Sequence, residues 1–242
     1  MAVNPTPIVA LDVPTLAQAR DFVARLGPAA DFYKVGLQLF TREGPGAVEW
    51  LRGEGKRVFL DLKLHDIPNT VRGAAQSAAA LGVDLLTVHA LGGAAMVRAA
   101  VEGAGGADAP TRVLVVTVLT SHTEADYSEA TGAPAVRTAD TVLRQASVAA
   151  REAARGVVCA APEAPLVVAA HGARLGVLVP GLRRAGGPAH DQARVATAAE
   201  MRMAGATWVV VGRAVTAEAD PAAAFAALVA ELRGAEPPPA AG

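Results

Sequence analysis

Cysteine is nearly absent from this chain: 242 residues hold one, Cys159. No intramolecular disulfide can form, so the fold rests on its core, and a reducing compartment suits it. Cys159 lies in the apolar run Val157-Val158-Cys159-Ala160, where a small side chain filling strand space is a better reading than a nucleophile. Aromatics are scarce at 4%, yet 52% of residues are hydrophobic, so Ala, Val and Leu must build the core. There is no basic tract and the formal net charge is -1, which argues against nucleic acid as a partner. No apolar run approaches the ~20 residues of a membrane-spanning helix. The first residues lack the charge pattern of a secretory signal, and a cytoplasmic protein is the expectation. A glycine-rich dinucleotide turn is missing too: the first strand candidate runs into Asp12-Val13-Pro14.

What the chain has is alternation. Short apolar runs at 8–12, 32–36, 57–61, 85–89, 113–120, 157–160, 176–180 and 208–212 read as eight strands. Helical patterns lie between them. The clearest are 14–26, one from Thr41 or Glu43 to before Gly53, 71–81, one ending at Val101, and about 134–155. Pro162 opens a short helix, and Asp220 or Pro221 opens the last. Near-continuous apolar strands suit a parallel sheet buried on both faces. Eight such units without a linker predict one (β/α)8 TIM barrel over residues 1–235, with the Pro- and Ala-rich 236–242 as a disordered tail. A doubly wound open sheet is the alternative, and it would normally carry the missing glycine turn.

The densest chemistry lies in Asp61-Leu62-Lys63-Leu64-His65-Asp66-Ile67-Pro68-Asn69-Thr70. Residues two apart on a strand share a side, so Asp61 and Lys63 are expected to project together. Pro68 suits the first turn of a following helix. A strand-end ion pair without chemistry is the plain alternative. However, Asp12, Lys34, Asp61, Lys63, His89, Thr120, Pro180, Gly212 and Arg213 all fall at or near C-terminal strand ends, the face where barrel enzymes carry their sites. Lys34, Asp61, Lys63 and Asp66 would form an alternating charge array able to aim a protonated lysine at a carbon becoming negative. Gly212 permits close backbone approach, and Arg213 offers a fork for phosphate. The breaker-rich segment 181–192 reads as a lid that closes over an anion. His65, His89, His122, His171 and His190 do not form an evident ligand set, so no metal is expected; His89 is expected to hydrogen-bond at the mouth.

The stretch from Asp61 to Val71 resembles the signature of the bacterial orotidine 5'-phosphate decarboxylases. Ala10-Leu11-Asp12, Lys34-Val35-Gly36, Val88-His89-Ala90, Leu119-Thr120-Ser121, Pro180-Gly181-Leu182-Arg183, Asp191-Gln192 and Val210-Val211-Gly212-Arg213 occur in the family's order. The resemblance implies a cofactor-free decarboxylase of UMP synthesis, acting as a homodimer with shared sites. It implies Lys63 as proton donor to C6, Asp61 beside the substrate carboxylate, and Asp12 and Lys34 at the ribose. Asp66, Ile67 and Thr70 would reach into the partner's site, with Asn69 in the same substrate-binding segment. Thr120 would border the pyrimidine, and Pro180 would line the substrate site. Arg183, Gln192, Gly212 and Arg213 would serve the phosphate. Two positions depart from the family pattern: Leu91 replaces a common small residue, and Val179 stands where threonine often precedes Pro-Gly. The enzymatic alternative is a magnesium-dependent sugar-phosphate decarboxylase or aldolase of the same barrel superfamily. Lys34, residues 180–183 and Gln192 favour the pyrimidine enzyme.

Overall fold

The computed structural model describes residues 4–133, 136–183 and 196–235. Eight parallel strands form a closed barrel: β1 Thr6–Ala10, β2 Phe32–Gly36, β3 Arg57–Leu64, β4 Leu85–His89, β5 Arg112–Val116, β6 Gly156–Val158, β7 Gly176–Val179 and β8 Trp208–Val211. Neighbours around the barrel follow chain order, and β8 closes against β1 with Thr6 opposite Trp208 and Val9 opposite Val211. Closure leaves no edge of this sheet to protect.

Side-chain alternation along each strand divides the core in two. Ile8, Phe32, Phe59, Leu85, Leu114, Val116, Val158, Leu178 and Trp208 form one cluster, the plug inside the barrel. Their strand neighbours, such as Val9, Tyr33, Val58, Leu86, Val115, Val157, Val177 and Val209, belong to a second cluster between strands and helices. The scarcity of aromatics is thus met by placing Phe32, Phe59 and Trp208 where the barrel interior needs bulk. Because strand parity is two, the next inward positions toward the C-terminal end are predetermined. They are Asp12 after Ala10, Lys34 after Phe32, Asp61 after Phe59 and Thr87 after Leu85.

Local signals explain several helix starts. Thr15 caps Leu16–Leu26 by accepting from the Gln18 N–H, and Pro68 opens Pro68–Ala80. Asp220 caps Pro221–Arg233 by accepting from Ala223 N–H at 2.9 Å. Four helix expectations are corrected. The second pattern begins earlier, at Leu37, and is two helices, Leu37–Glu43 and Gly46–Gly53, broken where Gly44 turns left-handed before Pro45. The polar connection after β5 holds a helix of its own, Glu124–Thr131, started by a reciprocal capping box between Thr123 and Asp126. The helix expected over 134–155 spans Thr138–Arg151. The one expected at Pro162 begins at Ala164. β5 stops at Val116 rather than Thr120: the Thr117 N–H makes the last rung, to the Val158 carbonyl at 3.1 Å, and the Thr117 hydroxyl donates to the same carbonyl at 2.7 Å. The expected tail at 236–242 lies outside the described residues.

Candidate active site

The inward row above the apolar plug opens into a cavity of about 830 Å³. Its floor includes Phe59, Val116, Val158 and Leu178, and its wall carries Asp12, Lys34, Asp61 and Lys63. Thr120, Pro180, Arg183, Gly212 and Arg213 line the same space. Residues from separate strand ends therefore meet at one mouth, as their positions along the sequence predict.

The charged groups are chained together. Lys34 Nζ donates to Asp12 Oδ1 at 2.8 Å and lies 3.7 Å from Asp61 Oδ2. Lys63 Nζ donates to Asp61 Oδ1 and Oδ2 at 2.9 and 3.0 Å. Lys34 is 8% exposed, so its ammonium depends on these carboxylates; a buried ion without neighbours would be costly. Gly36 makes this pairing possible. A Cβ there would lie 2.7 Å from Lys34 Nζ and 3.2 Å from Asp12 Oδ1, so a side chain at this position would displace the ammonium.

Asp61 and Lys63 meet, but not through regular strand alternation. Leu60 stands opposite Leu86 and Leu64 opposite Val88, so Asp61, Leu62 and Lys63 oppose Thr87 alone. β3 bulges here, and Lys63 adopts φ 50°, a left-handed conformation costing roughly 1–3 kcal/mol in a residue with a side chain. The fully buried Thr87 compensates: its hydroxyl accepts from the Lys63 N–H and donates to Asp61 Oδ1, both at 2.9 Å. Sequence reasoning missed Thr87 and the part played by Gly36. The signal for Thr87 was its parity, two residues beyond the inward Leu85.

Asp66 stands apart from this array within the chain. It is exposed, and its Oδ1 accepts from Ile67 N–H at 2.6 Å. Asp66, Ile67, Asn69 and Thr70 are exposed and do not line the cavity. Ile67 is 67% exposed, and Leu91, in the short 3-10 turn after β4, is 49% exposed. Gln192 and most of the expected lid lie outside the described residues. Gly212 and Arg213 sit together on the cavity wall, and a Cβ at Gly212 would meet no atom within 4 Å. That face is open to a ligand.

His89 closes β4 and accepts the Leu91 N–H on Nδ1 at 3.2 Å, the hydrogen bond expected at the mouth. Its ring stacks on His65 with centroids 5.6 Å apart. Burial first, then the nearby His65, Lys63 and His122, push its pKa from 6.5 down to about 4. An unfolded chain therefore takes up this proton before the folded one does, and stability should fall as pH drops from 6.5 toward 4. His89→Asn keeps an acceptor for Leu91 and removes the titration, so its thermal midpoint should fall less steeply over that interval. Parallel midpoint profiles would assign the dependence to other groups. Among the described residues, no group of three or more His, Cys, Asp or Glu side chains is placed to hold a metal ion.

Comparison with known proteins agrees with this geometry. Residues 5–228 match the model of the "Orotidine 5'-phosphate decarboxylase / HUMPS family". A protein of Anaeromyxobacter dehalogenans named orotidine 5'-phosphate decarboxylase is 52% identical over 223 residues, covering 92% of this chain and 96% of that one. One of the same name from Halorhodospira halophila is 48% identical over 231 residues, covering 96% and 97%. The crystal structure of orotidine 5'-phosphate decarboxylase from Lactobacillus acidophilus superposes with a TM-score of 0.82 at 35% identity, covering 95% of this chain and 99% of that one. With a closed eight-stranded barrel, a lysine–carboxylate array at its mouth and a match over nearly its whole length, the chain belongs to the orotidine 5'-phosphate decarboxylase / HUMPS family.

Proposed function

We propose that this chain decarboxylates orotidine 5'-phosphate to UMP and carbon dioxide, without a cofactor, with Lys63 delivering a proton to C6. The observation that carries the reading is the Lys34–Asp61–Lys63 array held over an apolar floor at the barrel mouth. The substrate's phosphate would take Gly212 and Arg213, with Arg183 and Gln192 at the same end. Its ribose would take Asp12 and Lys34, and its pyrimidine would lie by Thr120 and Pro180. This orientation turns the C6 carboxylate toward Asp61.

Carbon dioxide leaves without the bonding electron pair, which stays on C6. Negative charge thus moves from beside Asp61 toward the Lys63 ammonium, so the same two groups disfavour the bound carboxylate and favour the C6 carbanion. The Lys63 N–H then supplies the proton. The fixed Asp61–Lys63 pairing means little reorganisation is needed when charge develops. A magnesium-dependent sugar-phosphate reaction is the less supported reading. The ammonium of Lys34 already sits between Asp12 and Asp61, and a divalent cation there would meet a like charge. Equimolar release of UMP and carbon dioxide from orotidine 5'-phosphate tests the activity, and a folded protein with no turnover contradicts it.

Asp66, Ile67, Asn69 and Thr70 support a shared site. They follow the catalytic strand yet lie outside their own cavity, and Ile67 and Leu91 leave an apolar rim to cover. A two-fold homodimer would bury that rim and bring the second copy's Asp66 segment to this array. Mixing inactive Lys63→Ala with inactive Asp66→Ala chains should then restore activity, because in the heterodimer both lesions fall in one site and the other is whole. Heterodimers that form but stay inactive would exclude this sharing.

A further inference from the structure

We infer that Thr87 is the positioning residue that holds Lys63 and Asp61 in register for proton delivery, although it lies 24 residues beyond Lys63, outside their motif. The inference rests on the reading of Asp61 and Lys63 as the catalytic pair. The β3 bulge sets three residues against one, and that one is Thr87. In a regular ladder the backbone N–H of Lys63 would find a carbonyl on a neighbouring strand. At the bulge it finds the Thr87 hydroxyl instead, at 2.9 Å. The same hydroxyl donates its proton to Asp61 Oδ1, also at 2.9 Å. One side chain therefore ties the backbone of the proton donor to the carboxylate that holds the donor's head group.

Each tie limits a different freedom. The N–H bond anchors Lys63 in the left-handed conformation from which its side chain returns to Asp61. Strained conformations persist only where their surroundings over-determine them, and Thr87 supplies the constraint on this side. The bond to Oδ1 fixes rotation of the Asp61 carboxylate. Without it the carboxylate is held only by the Lys63 ammonium, itself on a flexible side chain, with Lys34 3.7 Å from Oδ2 as a competing partner. Thr87 has no exposed surface, so a Val side chain there would put methyl groups, not water, where the hydroxyl stood.

The test is a pair of substitutions differing in the hydroxyl. Thr87→Val keeps the shape and removes both hydrogen bonds, and Thr87→Ser keeps the hydroxyl. Thr87→Val should lower kcat about 100-fold, the scale of loss caused by misplacing a reacting group. Its KM and UMP dissociation constant should stay within about threefold, because the phosphate and pyrimidine contacts at Gly212, Arg213, Thr120 and Pro180 are untouched. Thr87→Ser should stay within about fivefold of wild type in kcat, since it retains both bonds. A purely structural role would lower the thermal midpoint while leaving the kcat of folded protein intact. Wild-type kcat in folded Thr87→Val, with Lys63→Ala inactive beside it, overturns this inference and leaves the catalytic pair standing. Turnover by Lys63→Ala would instead remove the pair and the inference together. If Thr87→Val does not fold, Thr87→Ala takes its place, and wild-type kcat in that variant is equally decisive against the role.

Discussion

Folded Lys63→Ala should lose decarboxylation by roughly 10⁴-fold, at the upper end of what a positioned proton-transfer group contributes. Its position and partners are the reason. Lys63 Nζ is held by both Asp61 oxygens on the wall of the mouth cavity, and Lys34 is already committed to Asp12. Without Lys63, no other ammonium among the described residues is set to face C6 as its charge develops, and Asp61 would remain beside the substrate carboxylate. The fold should survive, because the Lys63 side chain is 34% exposed and outside the apolar core. Substrate turnover measured alongside thermal unfolding checks both halves. Near-wild-type turnover by the folded variant would remove Lys63 from the mechanism.

Arg213→Ala should lower kcat/KM by about 3 kcal/mol, roughly 150-fold, the scale of a hydrogen-bonded pair with a charged group. Gly212 leaves its side of the cavity open, and Arg213 begins the next helix on the same wall. The phosphate lies far from the bond that breaks, yet binding energy gained there can be used at the reacting carbon. The loss should therefore reach kcat/KM for orotidine 5'-phosphate and be far smaller for orotidine, which lacks the phosphate. Equal losses for the two substrates would show that Arg213 does not read phosphate.

The barrel is legible in the sequence because its eight strands are apolar on both faces and its polar residues cluster at their C-terminal ends. Lys34 and Asp61 are legible for the same reason: each lies two residues beyond an inward phenylalanine. The bulge in β3 is not legible, because lysine, the residue that turns left-handed there, is not a type that favours that backbone. Lys63 takes that conformation through a tertiary contact with Thr87. Thr87 gives no signal by its type, since threonine is an ordinary strand residue, and only its pairing across the bulge gives it a task. The break at Gly44-Pro45 is written in the sequence, but apolar residues on both sides of it suggest one continuous pattern. Asp66 joins the array only by proximity in sequence; within one chain it turns outward and accepts the N–H of the next residue.

The most direct measurement is the ultraviolet absorbance of orotidine 5'-phosphate after purified, metal-stripped protein is added in excess EDTA. If Lys63 and Asp61 act without a metal, the substrate converts to UMP at the same rate as without chelator. No absorbance change in EDTA, with turnover restored by added magnesium, would contradict cofactor-free decarboxylation.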